Sequence, residues 1–396
     1  MTQPFPVVRL LPGRHKRVRA GHPWVYSNEI AMDHAAKALP AGGLVRLETG
    51  HGDSLGLAIF NPRPLISARI LSRDAATQID AAFFADRLAA AAALRERLYP
   101  GGYYRLIHAE ADGLPGLIVD RFGDVVVAQS NAAGVDRLWP EIERALRRTA
   151  SPRAIVRRDD SNARAVEGLA QRVEVAAGEI DGPVELIENE GRFLADVIAG
   201  QKTGWFYDQR DNRAAVARLA SGARVLDLYA YGGGFAIAAA LGGAAEVIAV
   251  DRSAPALALA EKSAASNGVA ARCRFVRAEA FAEMERLAAD GARFDIVVAD
   301  PPAFVKSKKD LAAGVRGYRK MTRLAAALVT PGGFLFVASC SHNVEPPLFT
   351  EQVARGMHDA GREGRVLRTT GAAPDHPVHP ALPESAYLKA LLLQVD

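Results

Sequence analysis

The chain has 396 residues and a formal net charge of +4, and its hydrophobic (49%) and charged (24%) fractions are those of globular proteins with two or three domains. No stretch approaches the roughly 20 apolar residues of a membrane-spanning helix, and the opening MTQPFPVVRL has no apolar signal core. Two cysteines, far apart in sequence, exclude a disulfide framework. We therefore expect a cytoplasmic protein that does not enter a membrane.

Residues 1–75 contain short strand-like runs, GLVRLET, SLGLAIF and LISARIL, separated by glycine and proline. Such runs are typical of a small β barrel. The segment GRHKRVRAGH places a basic cluster just before Trp24 and Tyr26. Its members are Arg14, Lys16, Arg17 and Arg19. Because arginine suits phosphate binding and base stacking, the cluster indicates an RNA or DNA contact, with a solvated loop as an equally good alternative.

Residues 76–190 combine a helix, DAAFFADRLAAAAALRERLY, with strands in LPGLIVDRFGDVVVAQS, which predicts a central α+β domain. From 191 to 396 the pattern becomes regular, with apolar strands that each precede a helix. Strands that are apolar throughout predict a parallel sheet with helices on both faces, an α/β fold. The closing runs GRVLRTT and SAYLKALLLQV read as a final strand pair with one antiparallel member.

Acidic residues end successive strands of this α/β region. Asp227 is followed by the glycine-rich turn AYGGGF, and Asp251 closes VIAVD. Glu279 and Ala280 follow the third strand, and the fourth ends at Asp300, before PPAF. Each residue alone could simply cap a helix or turn, but together they lie where open α/β sheets bind nucleosides. The set predicts an S-adenosylmethionine site.

The apolar strand GFLFVASC ends in Cys340, directly before a predicted helix. A cysteine there is either inert core filler, the commoner role for an isolated cysteine, or a nucleophile. Cys273, inside RCRFVR, has no such setting and is expected to be structural. His376 and His379 in DHPVHP lack further ligands nearby in sequence, so no metal is predicted.

Longer motifs resemble a known family. DLYAYGGGF, DPPAFVKSKK and ASCSHN are similar to motifs I, IV and VI of class I RNA methyltransferases. KTGWFYDQRDNR resembles the segment that enters the methyltransferase domain of the RlmI-like large-subunit ribosomal RNA cytosine-C5 methyltransferases. EADGLPGLIVDRFGD resembles that family's central domain, GHPWVYSNEI and GLAIFNPRPLISARIL its N-terminal PUA domain, and PDHPVHPALPESAYLK its C-terminus. The resemblance implies a Rossmann-like class I methyltransferase domain with a mostly parallel seven-stranded sheet.

The same resemblance implies a set of cofactor-binding residues. They are Asp227, Tyr229, Gly232, Gly234, Phe235, Asp251, Arg252, Glu279, Ala280 and Asp300, together with Phe206, Asp208, Gln209 and Arg210. Glu279 departs from the aspartate that is more usual in the family at the adenine position, which makes its role less certain than that of the other strand-end carboxylates.

The resemblance also implies the chemistry. Cytosine C5 is a poor nucleophile, and attack of a thiolate on C6 activates it, which assigns the nucleophile's role to Cys340. Asp300 is expected to hydrogen-bond or protonate cytosine N3, and Phe304 to stack on the extruded base. Lys306 and Lys308 are expected to meet the flanking phosphates.

Alternatives stay open at this point. Ala303 stands where many RNA cytosine-C5 enzymes carry a second cysteine, so release of the covalent adduct needs another base. The expected substrate is large-subunit ribosomal RNA, and relatives allow a homodimer. The other enzyme hypothesis is methylation of a guanine or adenine nitrogen without a thiol. An RNA-binding module without activity is the hypothesis outside enzymes, and the intact strand-end residues argue against it.

Overall fold

The computed structural model describes residues 5–396, so the first four residues, with the start of MTQPFPVVRL, lie outside it. The chain forms two compact units. The first extends to Gly182 and is completed by two later segments, Asp196–Gly204 and Asp375–Ser385. The second consists of Pro183–Ala195, Trp205–Pro374 and Ala386–Asp396. The division into three domains, 1–75, 76–190 and 191–396, stays a prediction.

The first unit opens with a five-stranded sheet built from the apolar runs near the start of the chain. Its elements are β1 (Val7–Arg9), α1 (Lys16–Arg19), β2 (Trp24–Tyr26), α2 (His34–Ala38), β3 (Gly43–Glu48), β4 (Ser54–Phe60) and β5 (Ile66–Ser72). The strand order is β1-β3-β4-β5-β2, with β1 parallel to β3 and the other pairs antiparallel. Val8, Val25, Leu47 and Phe60 are almost fully buried in its core, as expected for a small β domain.

A second five-stranded sheet with helices follows. Its elements are α3 (Ala81–Leu98), β6 (Tyr103–His108), β7 (Leu117–Phe122), β8 (Val125–Ser130), α4 (Ala133–Arg137), α5 (Trp139–Ala150), β9 (Ala154–Asp159), α6 (Ala163–Glu167) and β10 (Arg172–Ala177). The order is β10-β9-β8-β7-β6, and only β8 and β9 pair in parallel. Asp80 starts α3 by accepting the N–H groups of Ala82 and Phe83.

Buried charges tie the late segments into the first unit. The Asp375 carboxylate is completely buried and accepts the backbone N–H of Arg105 at 2.9 Å. The buried guanidinium of Arg95 donates to the Asp375 carbonyl at 3.0 Å and to the Asp112 carboxylate. Thr203 donates its hydroxyl to the Asp120 carboxylate. Because buried charges need partners, these contacts fix the segments in place.

The second unit consists of a hairpin and an α/β sheet. Its elements are β11 (Val184–Glu188), β12 (Gly191–Ala195), α7 (Arg210–Ala217), β13 (Arg224–Leu228), α8 (Gly234–Leu241), β14 (Glu246–Asp251), α9 (Ala254–Ser266), β15 (Cys273–Arg277), α10 (Ala280–Ala289), β16 (Phe294–Ala299), α11 (Leu311–Ala327), β17 (Val329–Ser339), α12 (Pro346–Asp359), β18 (Gly364–Thr370) and β19 (Lys389–Val395).

Seven strands form the main sheet of this unit, in the order β15-β14-β13-β16-β17-β19-β18. The five strands from β15 to β17 are parallel, and β19 is antiparallel to both of its neighbours. The predicted mostly parallel, seven-stranded α/β sheet is therefore confirmed, including its antiparallel closing strand. From β13 the chain first adds β14 and β15 on one side of this strand, and then returns to add β16 on its other side. Open α/β sheets bind ligands at the strand ends beside such a point.

Candidate active site

The glycine-rich turn after β13 has a strained backbone that brings it close to other chain segments. Tyr229 and Tyr231 have positive φ angles of 65° and 48°, and Gly233 has 77°. A Cβ atom at Gly234 would lie 2.4 Å from Arg213 Nε, and one at Gly232 would lie 3.2 Å from the Trp205 ring. Because non-glycine residues avoid positive φ, this turn is built for a specific backbone shape at the start of α8.

Asp227 lies fully buried at the end of β13 and accepts the N–H of Ala236 at 2.9 Å. Burial raises the pKa of this carboxyl to about 8, although the bond from Ala236 and the charge of Arg213 act against the rise. The nearby carboxylates of Asp300 and Asp251 raise it further. Three predicted site carboxylates from three neighbouring strands therefore influence one another.

Asp251 is half-buried at the end of β14, and its two oxygens accept backbone N–H groups. Oδ2 accepts from Tyr231 at 2.9 Å and Oδ1 accepts from Ser253 at 2.8 Å, so Asp251 joins the glycine turn to Ser253, the N-cap residue of α9. Phe206 meets the Tyr231 ring edge to face at 5.3 Å. Arg252, which follows Asp251 in the chain, is exposed. Phe235, at the start of α8, is buried, with its ring 5.1 Å from that of Phe336.

Glu279 and Ala280 lie at the start of α10. Glu279 is exposed, and its carboxylate accepts the N–H groups of Phe281 and Ala282, so it caps the helix. Ala280 is buried in the apolar core. Close to this helix start, the Tyr229 hydroxyl is buried without a hydrogen-bond partner among residues 5–396, and burial, helped by the charge of Glu279, raises the pKa of Tyr229. A buried polar group without a partner requires an explanation, and a polar ligand that bonds to it is one.

The predicted cofactor segment FYDQR is largely buried. The Asp208 carboxylate accepts the hydroxyl of Tyr387 at 2.5 Å, and Gln209 is buried beside it. Arg210 lies 3.6 Å from the Glu188 carboxylate of the β11–β12 hairpin. These contacts anchor the segment to two distant parts of the same unit, and they assign it at least a supporting role.

Cys340 lies half-buried directly after β17, in a turn that hydroxyl groups hold. Ser339 donates to the Tyr318 hydroxyl at 2.8 Å, and the hydroxyls of Tyr318 and Ser341 share a hydrogen bond of 2.8 Å. Lys389, opposite Ser339 in the β17–β19 ladder, donates to the Ser341 carbonyl at 2.6 Å. The turn that carries the thiol is therefore fixed from α11 and from β19.

The loop after Asp300 connects directly to this turn. The backbone N–H of Val305 donates to the Ser341 hydroxyl at 3.2 Å. The Phe304 ring is half-buried, 4.7 Å from the Tyr318 ring. Lys306 and Lys308 are exposed further along the loop. The structure thus places the predicted acid, the predicted stacking ring and the predicted nucleophile in one connected group.

Three residues that hold this group in place were missed by the sequence reasoning: Tyr318, Ser341 and Lys389. Tyr318 lies in the middle of an amphipathic helix, where a tyrosine has no special signal. Lys389 did have a signal, because it is the only charged residue in the apolar run LKALLLQV. A lysine inside a buried strand needs a partner, and that requirement could have marked it.

The N-terminal basic cluster lies in the first unit, and its members differ. Arg14 and Lys16 are exposed. Arg17 forms an ion pair with Glu29 at 2.7 Å and lies 4.3 Å over the Tyr26 ring, while Arg19 pairs with Asp53 at 2.9 Å across an exposed surface. Cys273, the other cysteine, lies in β15, where burial raises its pKa to about 11.

Two kinds of feature are absent from residues 5–396. No helix there is both long and apolar enough to span a bilayer. No group of three histidine, cysteine, aspartate or glutamate side chains in that range has the arrangement of a metal site.

Comparisons with solved structures show the fold. The structure of SMU.776 in complex with SAH matches with a TM-score of 0.83 at 21% identity, and the alignment covers 98% of this chain and 99% of that one. A SAM-dependent methyltransferase from Agrobacterium tumefaciens matches with a TM-score of 0.51 at 19% identity over 70% of this chain and 87% of its own.

Comparisons of sequence show the family. The family model for S-adenosylmethionine-dependent methyltransferases matches residues 163–394, and a PUA-like domain matches residues 8–73. Ribosomal RNA large subunit methyltransferase I of Aeromonas hydrophila is 38% identical over 98% of both chains. The protein of that name in Klebsiella pneumoniae is 36% identical over 99% of this chain and 98% of its own. The chain therefore belongs to the ribosomal RNA large subunit methyltransferase I family, enzymes with a PUA-like domain whose methyl donor is S-adenosylmethionine.

Proposed function

We propose that this protein transfers a methyl group from S-adenosylmethionine to carbon 5 of a cytosine in large-subunit ribosomal RNA. The names of its curated relatives support the RNA class. One observation supports carbon as the acceptor. A half-buried thiol, Cys340, lies in a turn that a hydrogen bond joins to the loop following Asp300. Methylation of a nitrogen has no use for such a thiol.

The residues at the strand ends fit the methyl donor. Gly232 and Gly234 are required by packing, because a side chain at either position would meet Trp205 or Arg213, and they fix the shape of the turn that leads into α8. Asp251 is a half-buried carboxylate suited to ribose hydroxyls, and the Tyr229 hydroxyl lacks a partner within the described range. When bound, S-adenosylmethionine supplies an electrophilic methyl group.

Cys340 acts as the nucleophile in this proposal. Its thiolate forms a bond to cytosine C6, and the electron pair of the C5–C6 double bond moves toward N3. Asp300 donates a hydrogen bond or a proton at N3, which stabilises the charge that develops there. C5 is then enamine-like and accepts the methyl group. A base takes the C5 proton, any proton held at N3 returns to Asp300, and cleavage of the C6–sulfur bond restores the ring and the free thiolate.

The test uses the two cysteines as matched variants. Cys340→Ala should abolish turnover on large-subunit ribosomal RNA, by at least about 10³-fold, because the nucleophile is lost. Cys273→Ser should retain turnover, since that thiol is not part of the site. RNA that carries a fluoro-substituted cytosine should form a covalent adduct with the parent and with Cys273→Ser, but not with Cys340→Ala.

The outcomes separate the hypotheses. Mapping of methylated cytosines in ribosomal RNA with and without the protein should identify the target. Cytosine C5 methylation by Cys340→Ala would contradict the assignment of the nucleophile. Methylated guanine or adenine, formed equally by both variants, would instead establish the nitrogen reaction. Absence of S-adenosylmethionine binding in a calorimetric titration would leave only an RNA-binding module.

We also infer the setting of this activity from its substrate. An enzyme that methylates ribosomal RNA works in the cytoplasm with RNA as its partner, and a homodimer is compatible with it. The three-part division of the chain, with a PUA-like domain, a central domain and a methyltransferase domain, follows the same proposal. The match of the PUA-like model to residues 8–73 supports the first of these parts.

A further inference from the structure

Lys389 is a buried ammonium in an apolar strand. It is the first residue of β19 and is 7% exposed, and its neighbours in the chain, Leu388 and Ala390, are buried as well. Lysine is among the residues that are almost never buried unless they are paired. Transfer of an ammonium from water to such a place costs free energy that a partner must offset. A charge in this position therefore requires an explanation.

The hydrogen bonds of Lys389 do not neutralise its charge. Its Nζ donates to the carbonyl of Ser341 at 2.6 Å and to the carbonyl of Val344 at 2.8 Å, both of which are neutral acceptors. Within residues 5–396, no carboxylate lies at ion-pairing distance from it. Two of its three N–H groups are used, and both of these bonds go to neutral carbonyl oxygens.

Cys340 is an anion-forming group in the turn to which Lys389 is bonded. The two carbonyls that hold Lys389 belong to the turn that immediately follows the thiol. Burial lowers the pKa of Lys389, and the thiolate of Cys340, followed by Glu345, acts in the opposite direction. The ammonium and the thiol therefore interact electrostatically, and each charged form favours the other.

Among the other side chains of this region, Tyr318, Asp300 and Glu345 carry no positive charge. The hydroxyl of Tyr318 is held by two serine hydroxyls, and burial raises the pKa of Tyr318, so it stays neutral. Asp300 and Glu345 are acids. His342 is exposed, and its ring lies 5.5 Å from that of Tyr387.

The helix that follows the thiol is also a weak source of positive charge. α12 begins with Pro346 and Pro347, which lack the N–H groups that a helix N-terminus normally offers to an anion. Lys389, by contrast, is a buried cation that bonds directly to this turn.

We propose that Lys389 is a positioning residue that fixes the Cys340 turn and stabilises the thiolate form of Cys340. The thiol releases its proton to solvent, and Lys389 is not the proton acceptor. The catalytic meaning of this role rests on the proposed function, in which the thiolate adds to cytosine C6. The stabilisation itself is a property of the free protein and can be measured without RNA.

Alkylation by iodoacetamide tests the proposal, because only the thiolate reacts. In a Cys273→Ser background Cys340 is the single cysteine, and its alkylation rate is measured from pH 5 to 10. We expect half of the maximal rate at a lower pH than the ~8.5 of a free thiol. Lys389→Met should move this midpoint up by about one pH unit, a roughly tenfold slower reaction near neutral pH. Lys389→Arg keeps a positive charge and should move it much less.

Two further measurements separate charge from fold. Tyr318→Phe loosens the same turn without removing a charge, so its midpoint should stay at the parent value. The slow methylation of Lys389→Met should recover at high pH, with S-adenosylmethionine affinity close to that of the parent.

An unchanged midpoint in Lys389→Met would overturn the proposal, as would equal shifts in Tyr318→Phe or in Lys389→Arg. Should Lys389→Met not fold, the midpoint of the parent still decides, because a value at or above the ~8.5 of a free thiol would overturn the proposal. Loss of cytosine methylation chemistry in the Cys340 test would overturn the proposed function but leave these midpoints unaffected.

Discussion

Asp227 shows how a single buried carboxyl links the cofactor site to stability. It accepts one backbone N–H and lies near two other carboxylates, so burial and repulsion together raise its pKa to about 8. Between its ordinary value of 3.8 and about 8, the folded protein binds a proton that the unfolded chain has released. The contribution of this group to stability is therefore lost as the pH rises through that window.

Asp227→Asn removes this titration while its amide oxygen can still accept from Ala236. The free energy of unfolding of the parent, relative to that of the variant, should fall as the pH rises from 4 to 8, by up to about 1.4 kcal/mol per pH unit, and then level off. Urea unfolding of the ligand-free proteins at pH 5, 6, 7 and 8 measures the difference. A difference that is independent of pH would show that Asp227 is ionised throughout.

Sequence reasoning reached the residues of the site that belong to contiguous motifs. Asp227, Asp251 and Cys340 each follow an apolar strand, so their position at one edge of the sheet could be inferred from strand periodicity. Lys389 and Tyr318 could not be placed in this way. Each meets Ser341 across a long sequence separation, and one sequence alone contains no record of which side chains pack together.

At the scale of elements, α11 shapes the loop that carries the predicted acid and stacking ring. Gly314 faces this loop, and a Cβ atom there would lie 2.3 Å from a Val305 methyl group and 2.8 Å from the Phe304 carbonyl oxygen. Glycine inside a helix normally costs about 1 kcal/mol relative to alanine. Its presence here is explained by the close approach of the loop.

Gly314→Ala should therefore slow methylation by at least about tenfold, because a small displacement of catalytic groups has a large effect. Affinity for S-adenosylmethionine should change little, since the glycine turn lies elsewhere. The control is Ala313→Gly at the exposed neighbouring position, which should cost about 1 kcal/mol of stability but retain the rate. Equal rates for the parent and Gly314→Ala would exclude a role of the close contact.

The order of helices and strands was largely predictable from the sequence. The assignment of two late segments to the first unit was not. The alternation of apolar strands and helices after residue 191 predicted β13 to β17 and the closing pair β18 and β19, all of which are present. The segments Asp196–Gly204 and Asp375–Ser385 nevertheless belong to the first unit. Buried hydrogen bonds of single side chains, such as that of Arg95 to the Asp375 carbonyl, hold these segments in the first unit. Such bonds leave no periodic pattern in the sequence.

At the scale of the whole molecule, exposed cations of the first unit are the candidates for RNA attraction. Arg17 is occupied by Glu29 and Tyr26, whereas Arg14 and Lys16 are exposed and free of ion pairs within residues 5–396. Only cations that can approach a phosphate release counter-ions on binding. The basic cluster should therefore act through its exposed members.

Replacement of Arg14 and Lys16 together by alanine should weaken RNA binding and reduce the slope of log affinity against log salt concentration by about 1.4, or roughly 0.7 for each phosphate contact. Fluorescence anisotropy with a ribosomal RNA fragment at several salt concentrations measures both. The control is the pair Arg137→Ala and Arg148→Ala, which are also exposed cations. An unchanged slope, or an equal change in the control, would remove the N-terminal cluster from the RNA path.

The position of β19 has a consequence for the order of assembly during synthesis. β19 lies between β17 and β18, yet it is translated after both. Until it is made, β17 is an open apolar edge and β18 has no partner in the sheet, a state in which chains pair wrongly with one another. The same late strand brings Lys389 to the Cys340 turn, so a nascent chain would carry the thiol before the charge proposed to activate it.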